Sequence, residues 1–327
     1  MSASSVSAEA WQITKPGSIP DTLELRSITL PNLKPNQVLI KVSHAALNPA
    51  DYKLAAILPT FIQKVPRTAA SDFSGTVVKL GSDALAKKYE WLREENVAVW
   101  GLIFNLPPTS ALGAMSTYTV AEVECIHPLP TNTAAIEAGV TAESAAGLGI
   151  VSLTAYLQAQ YVKKGDRVFI NGGTTAVGLI AADLAIAKGA SLIVATASGS
   201  KADFIKKRGV NEVIDHRASD PKQELLSRYS SAPFDVVLDC IGTPDLHLSS
   251  PAYLKADGKW INIGASFHVQ LRVSQLYMYD LVEVNKLLVE GTIHPVVDKV
   301  FEWKDGVEAY KYLIEGRAVG KVVVAVP

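Results

Sequence analysis

The sequence predicts an α/β protein of two units, in which a mainly β, barrel-like unit precedes a doubly wound parallel sheet. Short β-type runs bounded by Pro, Gly and Asn fill residues 1–130, whereas strands alternate with helices over residues 131–266. The length of 327 residues also favours two domains, because one hydrophobic core rarely grows beyond about 250 to 300 residues.

The first unit is predicted to contain short strands and little helix. Four apolar runs flanked by turn residues are typical of the strands of a small barrel-like unit. These runs are residues 39–43, 75–80, 97–100 and 118–120.

The second unit alternates strands with helices, which predicts right-handed crossovers and a parallel sheet. An Ala-rich stretch over residues 134–160 predicts a helix that leads into it. The predicted strands are residues 166–170, 191–196, 212–214, 234–239 and 259–263. Residues 179–188 show the apolar spacing of a helix, and a second helix is predicted around residues 201–208.

The C-terminal residues 267–327 predict a helix, a strand, a second helix and a last strand. From these patterns alone, the segment either extends the parallel sheet or rejoins the first unit.

Composition excludes several classes of protein. The net charge of −1 gives no bulk attraction to nucleic acid or to an anionic membrane. A hydrophobic fraction of 48% with 19% charged residues argues against disorder. Two cysteines, Cys125 and Cys240, without a CxxC or a Cys/His cluster predict neither a disulfide scaffold nor a structural zinc site.

The N-terminus is small and polar and lacks the features of a signal peptide, so the expected location is the cytoplasm. Two long uncharged stretches, residues 97–121 and 144–162, contain proline or several polar side chains. They predict buried globular structure and no membrane span.

A glycine loop between a strand and a helix predicts a dinucleotide site, because bare backbone N–H groups at a helix N-terminus hold a diphosphate. The loop follows Ile170 and, from Gly173, spells G-T-T-A-V-G. Thr175 therefore stands where the G-x-G-x-x-G pattern has its middle glycine. A glycine turn without a nucleotide is the alternative.

The end of the second predicted strand favours NADP(H) over NAD. No acid lies between Asp183 and Asp203 to bind the ribose hydroxyls. Ser198, Ser200 and Lys201 lie there instead, and two hydroxyls with a cation suit a 2′-phosphate. The alternative is that Lys201 is an ordinary exposed lysine of a first helical turn.

The chain resembles the medium-chain dehydrogenase/reductase superfamily over almost its full length, specifically its zinc-independent quinone-reductase and enoyl-reductase branch. The matching segments are residues 48–51, 72–75, 152–156, 172–178, 234–242 and 316–321. The resemblance implies a GroES-like catalytic domain at residues 1–130 and a Rossmann NADP(H)-binding domain at 131–266. It also implies that residues 267–327 return to the catalytic domain.

The resemblance also implies the cofactor contacts. Lys201 matches a lysine on the 2′-phosphate, His216 stands where many relatives have tyrosine, and Thr154 matches a nicotinamide contact. A threonine that bonds its own helix is the alternative for Thr154. The predicted cofactor-binding residues are Thr154, Gly173, Thr174, Thr175, Ala176, Val177, Gly178, Ser198, Ser200, Lys201, His216, Gly242, Gly264 and Lys321.

The positions that hold zinc in metal-containing relatives are Asn48, residues 71–72 and Ile150 in this chain. One carboxylate without a soft ligand does not suit tetrahedral zinc, so no metal is expected. The predicted catalytic residues are Asn48, Asp51, Tyr52 and Lys53. Tyr52 or Lys53 is the expected proton donor and Asn48 the orienting group. Alternatively, Asn48 with Pro49 forms a turn and Asp51 caps a helix.

These observations predict an NADPH-dependent, zinc-independent reductase of an activated C=C bond or a quinone. Carbonyl reduction or a redox-neutral isomerisation in the same pocket is an alternative, and a nucleotide-binding scaffold without turnover is another. The expected partner is a small-molecule substrate, with no nucleic acid and no membrane, and monomer and homodimer both stay open.

Overall fold

A computed structural model describes residues 6–57, 59–103, 111–264 and 277–327. The chain divides into a first unit, Met1–Ile150 with Pro295–Pro327, and a second unit, Val151–His294. Each unit has a hydrophobic core of its own.

The strands of the described chain are β1 (Ser7–Ile13), β2 (Leu23–Thr29), β3 (Gln37–Leu47), β4 (Arg67–Thr68), β5 (Asp72–Leu80), β6 (Ala98–Leu102), β7 (Tyr118–Glu122), β8 (Ile126–Pro128), β9 (Arg167–Asn171), β10 (Leu192–Ala197), β11 (Glu212–Asp215), β12 (Phe234–Asp239), β13 (Leu254–Asn262), β14 (Val297–Phe301) and β15 (Lys321–Ala325). Its α-helices are α1 (Ile19–Thr22), α2 (Pro49–Ile57), α3 (Ala84–Lys88), α4 (Thr133–Glu137), α5 (Ala142–Ala146), α6 (Gly149–Ala159), α7 (Ala176–Ala187), α8 (Ala202–Lys207), α9 (Pro221–Tyr229), α10 (Pro244–Ser249), α11 (Tyr277–Val289) and α12 (Gly306–Ile314).

The first unit is built on a sheet in the order β14-β15-β3-β5-β6-β8, with β7 also paired to β3. A smaller sheet, β2-β1-β4, completes it. The C-terminal strand β15 runs antiparallel to β3 and pairs Val322 with Leu47. The core buries Ile40, Phe73 and Tyr310, so residues from both ends of the chain share one core.

The second unit confirms the predicted doubly wound parallel fold. Its sheet has the order β11-β10-β9-β12-β13, and all four pairings are parallel. Phe169, Phe234 and Val237 lie in its core. The carboxyl ends of these strands share one edge, where open α/β sheets of this kind bind ligands.

The region predicted as one helix over residues 134–160 forms α4, α5 and α6, so that prediction is wrong. Gly139 has a φ of +85°, a left-handed conformation that ends α4. The Thr141 hydroxyl then accepts a hydrogen bond from the Ser144 N–H and starts α5 as part of a capping box. Alanine content predicted helix correctly but did not predict these breaks.

The units divide at different places from the predicted boundaries. Helix α5 packs on β3, β5 and β6 of the first unit, because its small side chains allow a close approach. Ala146 shares a buried cluster with Ala46 and Val323. Residues 131–150 therefore belong to the first unit, and α11 belongs to the second.

Among the residues that the structure describes, no helix is long and apolar enough to cross a membrane.

Candidate active site

Thr175 closes the glycine loop that joins β9 to α7. Its hydroxyl donates to the Gly172 carbonyl over 2.8 Å and accepts from the Gly178 N–H over 3.0 Å. Thr175 is therefore the N-cap of α7. The residue that departs from the glycine pattern satisfies a backbone donor that a glycine would leave open.

Three glycines let the loop, the sheet and the helix approach closely. Gly172 has a φ of +90°, which side chains rarely tolerate. A Cβ atom on Gly173 would lie 2.7 Å from the Cβ of Ala195, and one on Gly178 would lie 2.2 Å from the Gly172 carbonyl oxygen. The resulting cradle of bare backbone at the start of a twelve-residue helix fits a dinucleotide diphosphate.

A buried network of polar side chains holds the backbone of the glycine loop in place. This network was not predicted from the sequence. The Thr196 hydroxyl accepts from the Gly172 N–H and donates to the Asn171 side-chain carbonyl, over 2.7 and 2.9 Å. The Asn171 amide donates to Asp239 over 2.8 Å, and Asp239 also accepts from the Gly242 N–H. Polar residues at the ends of three predicted strands were the available signal.

The turn after β10 contains the residues predicted to hold a 2′-phosphate. Ser198 and Ser200 bring their hydroxyls within 3.4 Å of each other, and Lys201 ends the same turn. Asp215, at the end of β11, lies directly beneath: a Cβ on Gly199 would be 2.3 Å from its carboxylate. Sequence reasoning missed this acid because it follows the third strand of the unit.

The Asp215 carboxylate accepts hydrogen bonds from backbone N–H groups on both sides of this site. Hydrogen bonds from the N–H groups of Arg217, Gly199 and Ala218 lower the pKa of the Asp215 carboxyl. The acid therefore stays ionised, and backbone donors balance part of its charge.

The other predicted cofactor residues of the second unit include three at the same sheet edge. The His216 side chain is exposed, and the backbone N–H of His216 donates to the Ala197 carbonyl at the end of β10. Gly242 and Gly264 allow the segments after β12 and β13 to touch, since a Cβ on Gly264 would lie 2.3 Å from the Gly242 Cα. Thr154 is buried in α6, and its contact with a cofactor stays a prediction.

In the first unit, Asn48 lies in a buried polar cluster. Its side-chain carbonyl accepts from the Lys321 ammonium over 2.7 Å, and its amide donates to Asp72 Oδ2 over 2.8 Å. Lys321 and Asp72 also form an ion pair at 3.1 Å. Asn48, Asp72 and Lys321 are 1%, 0% and 6% exposed. Lys321, predicted to bind the cofactor, thus directs its charge at two side chains of the first unit.

Asp51 is buried in the first turn of α2. Its carboxylate accepts from the Asn48 N–H over 2.9 Å and from the Tyr310 hydroxyl over 3.1 Å. Burial raises the pKa of the Asp51 carboxyl to about 6, although the Asn48 N–H and the Lys321 charge act against this shift. Asp51 therefore links α2 to α12.

Tyr52 and Lys53 differ from Asn48 and Asp51 in exposure. Tyr52 is half-buried against the core, and burial together with the Asp51 charge raises the pKa of its phenol. Tyr52 therefore keeps its proton at neutral pH. The Lys53 side chain is exposed. Of the four predicted catalytic residues, these two are the ones whose side chains are accessible to solvent.

Within the described ranges, no group of three His, Cys, Asp or Glu side chains is placed to hold a metal ion. Asp72 is the one carboxylate among the positions compared with zinc sites, and its oxygens are already bound. Oδ1 accepts from the Ile150 N–H over 2.9 Å, and Oδ2 accepts from Asn48 and Lys321.

Comparison with known proteins identifies the family. Residues 34–131 match the model of the alcohol dehydrogenase GroES-like domain, and residues 176–305 match that of the zinc-binding dehydrogenases. A trans-enoyl reductase of Aspergillus terreus, pgmF, is 30% identical over 90% of this chain and 88% of its own length. The chain belongs to the medium-chain dehydrogenase/reductase superfamily. It is accordingly an oxidoreductase of a family whose members bind nicotinamide cofactors.

Two further members of the superfamily match nearly the whole chain. The 2-methylene-furan-3-one reductase of Solanum lycopersicum is 31% identical over 97% of this chain and 78% of its own length. The quinone oxidoreductase structure from Coxiella burnetii is 28% identical with a TM-score of 0.78, covering 98% of this chain and 100% of its own. The GroES-like and Rossmann fold predicted from the resemblance is confirmed.

Proposed function

We propose that the chain is an NADPH-dependent, zinc-independent reductase that adds hydride to an activated C=C bond, as in an enone or enoyl thioester, or to a quinone. The observation that carries this proposal is the near full-length similarity to a trans-enoyl reductase and to a quinone oxidoreductase. The glycine cradle in the second unit and the polar cluster in the first unit support it.

The bound nicotinamide would supply the hydride. The chain's own part is to hold the dinucleotide. The backbone N–H groups at the start of α7 bind the diphosphate, and Gly173 and Gly178 let the loop pack closely enough against the sheet and the helix to present them. Ser198, Ser200 and Lys201 bind the 2′-phosphate. The Asp215 carboxylate lies beneath that turn and would repel the 2′-phosphate. Three backbone N–H groups donate to this carboxylate, so it repels the phosphate less than a carboxylate without such donors would.

Hydride addition to a conjugated bond places negative charge on the carbonyl oxygen of the substrate, and the α-carbon then needs a proton. Tyr52 and Lys53 are the donors that we assign to these two tasks. The raised pKa of the Tyr52 phenol keeps that group protonated at neutral pH. Donors already oriented toward the developing charge lower the barrier most, because they need little reorganisation.

The reaction can be tested with purified protein, NADPH and a panel of enones, enoyl thioesters and quinones. We expect NADPH oxidation with at least one of these classes and slower oxidation with simple ketones and aldehydes. Oxidation with carbonyl compounds alone would favour carbonyl reduction. Substrate conversion without net NADPH oxidation would indicate an isomerase, and tight NADPH binding without any turnover would favour the scaffold.

The purified protein should carry no stoichiometric zinc and should keep its activity in a strong chelator. The physical reason is that the oxygen atoms of Asn48 and Asp72 hold the Lys321 ammonium, so a second cation there would meet direct repulsion. Metal analysis by mass spectrometry checks this. One tightly held zinc per chain would contradict it.

Lys201→Ala should weaken NADPH binding and leave NADH binding nearly unchanged. One charged hydrogen bond to the 2′-phosphate is lost, which costs about 1.5 to 3 kcal/mol. Calorimetric titration of both cofactors measures this difference. Lys206→Ala is the matched control, since it removes an exposed lysine from the adjacent helix α8. Equal losses for the two cofactors would remove Lys201 from the phosphate site.

A further inference from the structure

The side chain of Asn48 bonds two residues outside the helix that it precedes. Asn48 lies directly before α2. The third residue of that helix, Asp51, accepts a hydrogen bond from the Asn48 backbone N–H at its carboxylate, over 2.9 Å. This is one half of a capping box. The other half would be a bond from the Asn48 side chain to the first turn, whereas the bonds that the structure shows from this side chain go to Lys321 and Asp72. A residue type suited to capping therefore has another task.

The partners of Asn48 permit only one orientation of its amide. A carboxylate accepts and an ammonium donates, so Nδ2 must face Asp72 and Oδ1 must face Lys321. Turning the amide over would oppose two acceptors and two donors in a site with almost no solvent. The ion pair thus fixes both the position and the polarity of Asn48.

Two glycines make room for this ion pair. A Cβ on Gly147 would lie 2.8 Å from the Lys321 side chain, and one on Gly149 would lie 2.4 Å from Asp72 Oδ1. The backbone between α5 and α6 thereby admits the lysine stem on one side and the carboxylate on the other. The pair is a packed part of the first unit, not an incidental contact.

The anchored end of α2 carries the two side chains that we assign as donors. Tyr52 and Lys53 lie in the turn that follows Asn48, and Asp51 in that turn is tied to Tyr310. Side-chain bonds therefore tie Asn48, directly before α2, to β5 and β15, and tie Asp51, in its first turn, to α12.

We propose that Lys321 is a positioning residue, which acts through Asn48 and Asp72 to hold the first turn of α2, and with it Tyr52 and Lys53, in the orientation that reduction requires. The proposal rests on the proposed function. It differs from the cofactor contact that the sequence predicted for Lys321, because it assigns the ammonium to the first unit.

The test compares Lys321→Met, which keeps the length and removes the charge, with Lys321→Arg, which keeps the charge. We expect Lys321→Met to lower kcat about 10- to 100-fold, the range for misplaced reacting groups, with the KM for NADPH within about twofold. Lys321→Arg should restore a substantial part of kcat. Hydrogen exchange of the α2 backbone amides should rise at least about tenfold in Lys321→Met.

Arg208→Met is the matched control, since Arg208 forms a similarly buried ion pair with Asp183 in the second unit at 2.7 Å. It should lower stability without changing kcat or exchange in α2. If Lys321→Met fails to fold, Asp72→Asn/Lys321→Met removes both charges together. That variant should fold and still show the loss of kcat and the faster exchange in α2.

The outcomes separate the two proposals. If the wild-type protein reduces no member of the panel, the proposed function fails, and exchange in α2 still tests the anchoring. If the wild type is active but a folded Lys321→Met variant keeps its kcat, the positioning role is wrong. A large rise in the KM for NADPH with kcat unchanged would return Lys321 to the cofactor. Exchange in α2 that matches the Arg208→Met control would also overturn the proposal.

Discussion

Tyr52→Phe or Lys53→Ala should lower turnover about ten- to a thousandfold, for whichever residue is the proton donor, while NADPH affinity changes little. The donor meets negative charge that exists only as hydride is transferred, so its loss raises the barrier to reaction more than it weakens binding. Steady-state kinetics on the best substrate of the panel, together with NADPH titration, measures the two effects separately.

Lys41→Ala is a suitable control for Lys53→Ala, because it removes an exposed lysine from β3 of the same unit. Its kcat should equal that of the wild type. Normal turnover in Tyr52→Phe, Lys53→Ala and Asn48→Ala alike would place the proton transfer elsewhere in the protein or on ordered water. The assignment of residues 48–53 would then be abandoned.

Gly178→Ala should weaken the binding of either nicotinamide dinucleotide at least about tenfold and destabilise the protein by roughly 1 to 3 kcal/mol. The new methyl group would lie 2.2 Å from the Gly172 carbonyl oxygen. That atom is backbone, so α7 must move away from the loop and carry its N–H groups out of position. Cofactor titration and thermal unfolding measure the two effects.

Gly165→Ala is the control for Gly178→Ala, because it should destabilise the protein without altering the glycine loop. Gly165 has a φ of +87° with nothing within 4 Å of an added Cβ, so alanine there strains the backbone by a similar amount, on the order of 1 to 3 kcal/mol. It should leave cofactor affinity unchanged. Equal affinity losses in the two variants would mean that the glycine loop does not hold the dinucleotide.

The doubly wound sheet could be predicted from sequence because its evidence is local. Each strand of the second unit contains a short apolar run, and each run is followed by a turn residue or a helix. The breaks between α4, α5 and α6 were missed because alanine favours helix wherever it occurs. They depend on the left-handed conformation of Gly139 and on the Thr141 cap.

The candidate site was predictable in part. The glycine loop and residues 48–53 form contiguous motifs, and their residue types suggest their chemistry. The bond between Asn48 and Lys321 joins residues 273 positions apart, and no periodicity connects them. Thr175 looked like a defect of the glycine pattern, because a pattern of residue types does not reveal that a hydroxyl can cap a helix and close a loop.

The pairing of β15 with β3 also determines when the first unit can be completed during synthesis. Asp72 leaves the ribosome 249 residues before Lys321, a delay of roughly 12 to 50 s at about 5 to 20 residues per second. During that interval the whole second unit emerges and can fold, while Asp72 has no lysine to neutralise it. We expect this part of the first unit to stay open to water until Lys321 arrives, because burying the unpaired Asp72 carboxylate would be costly.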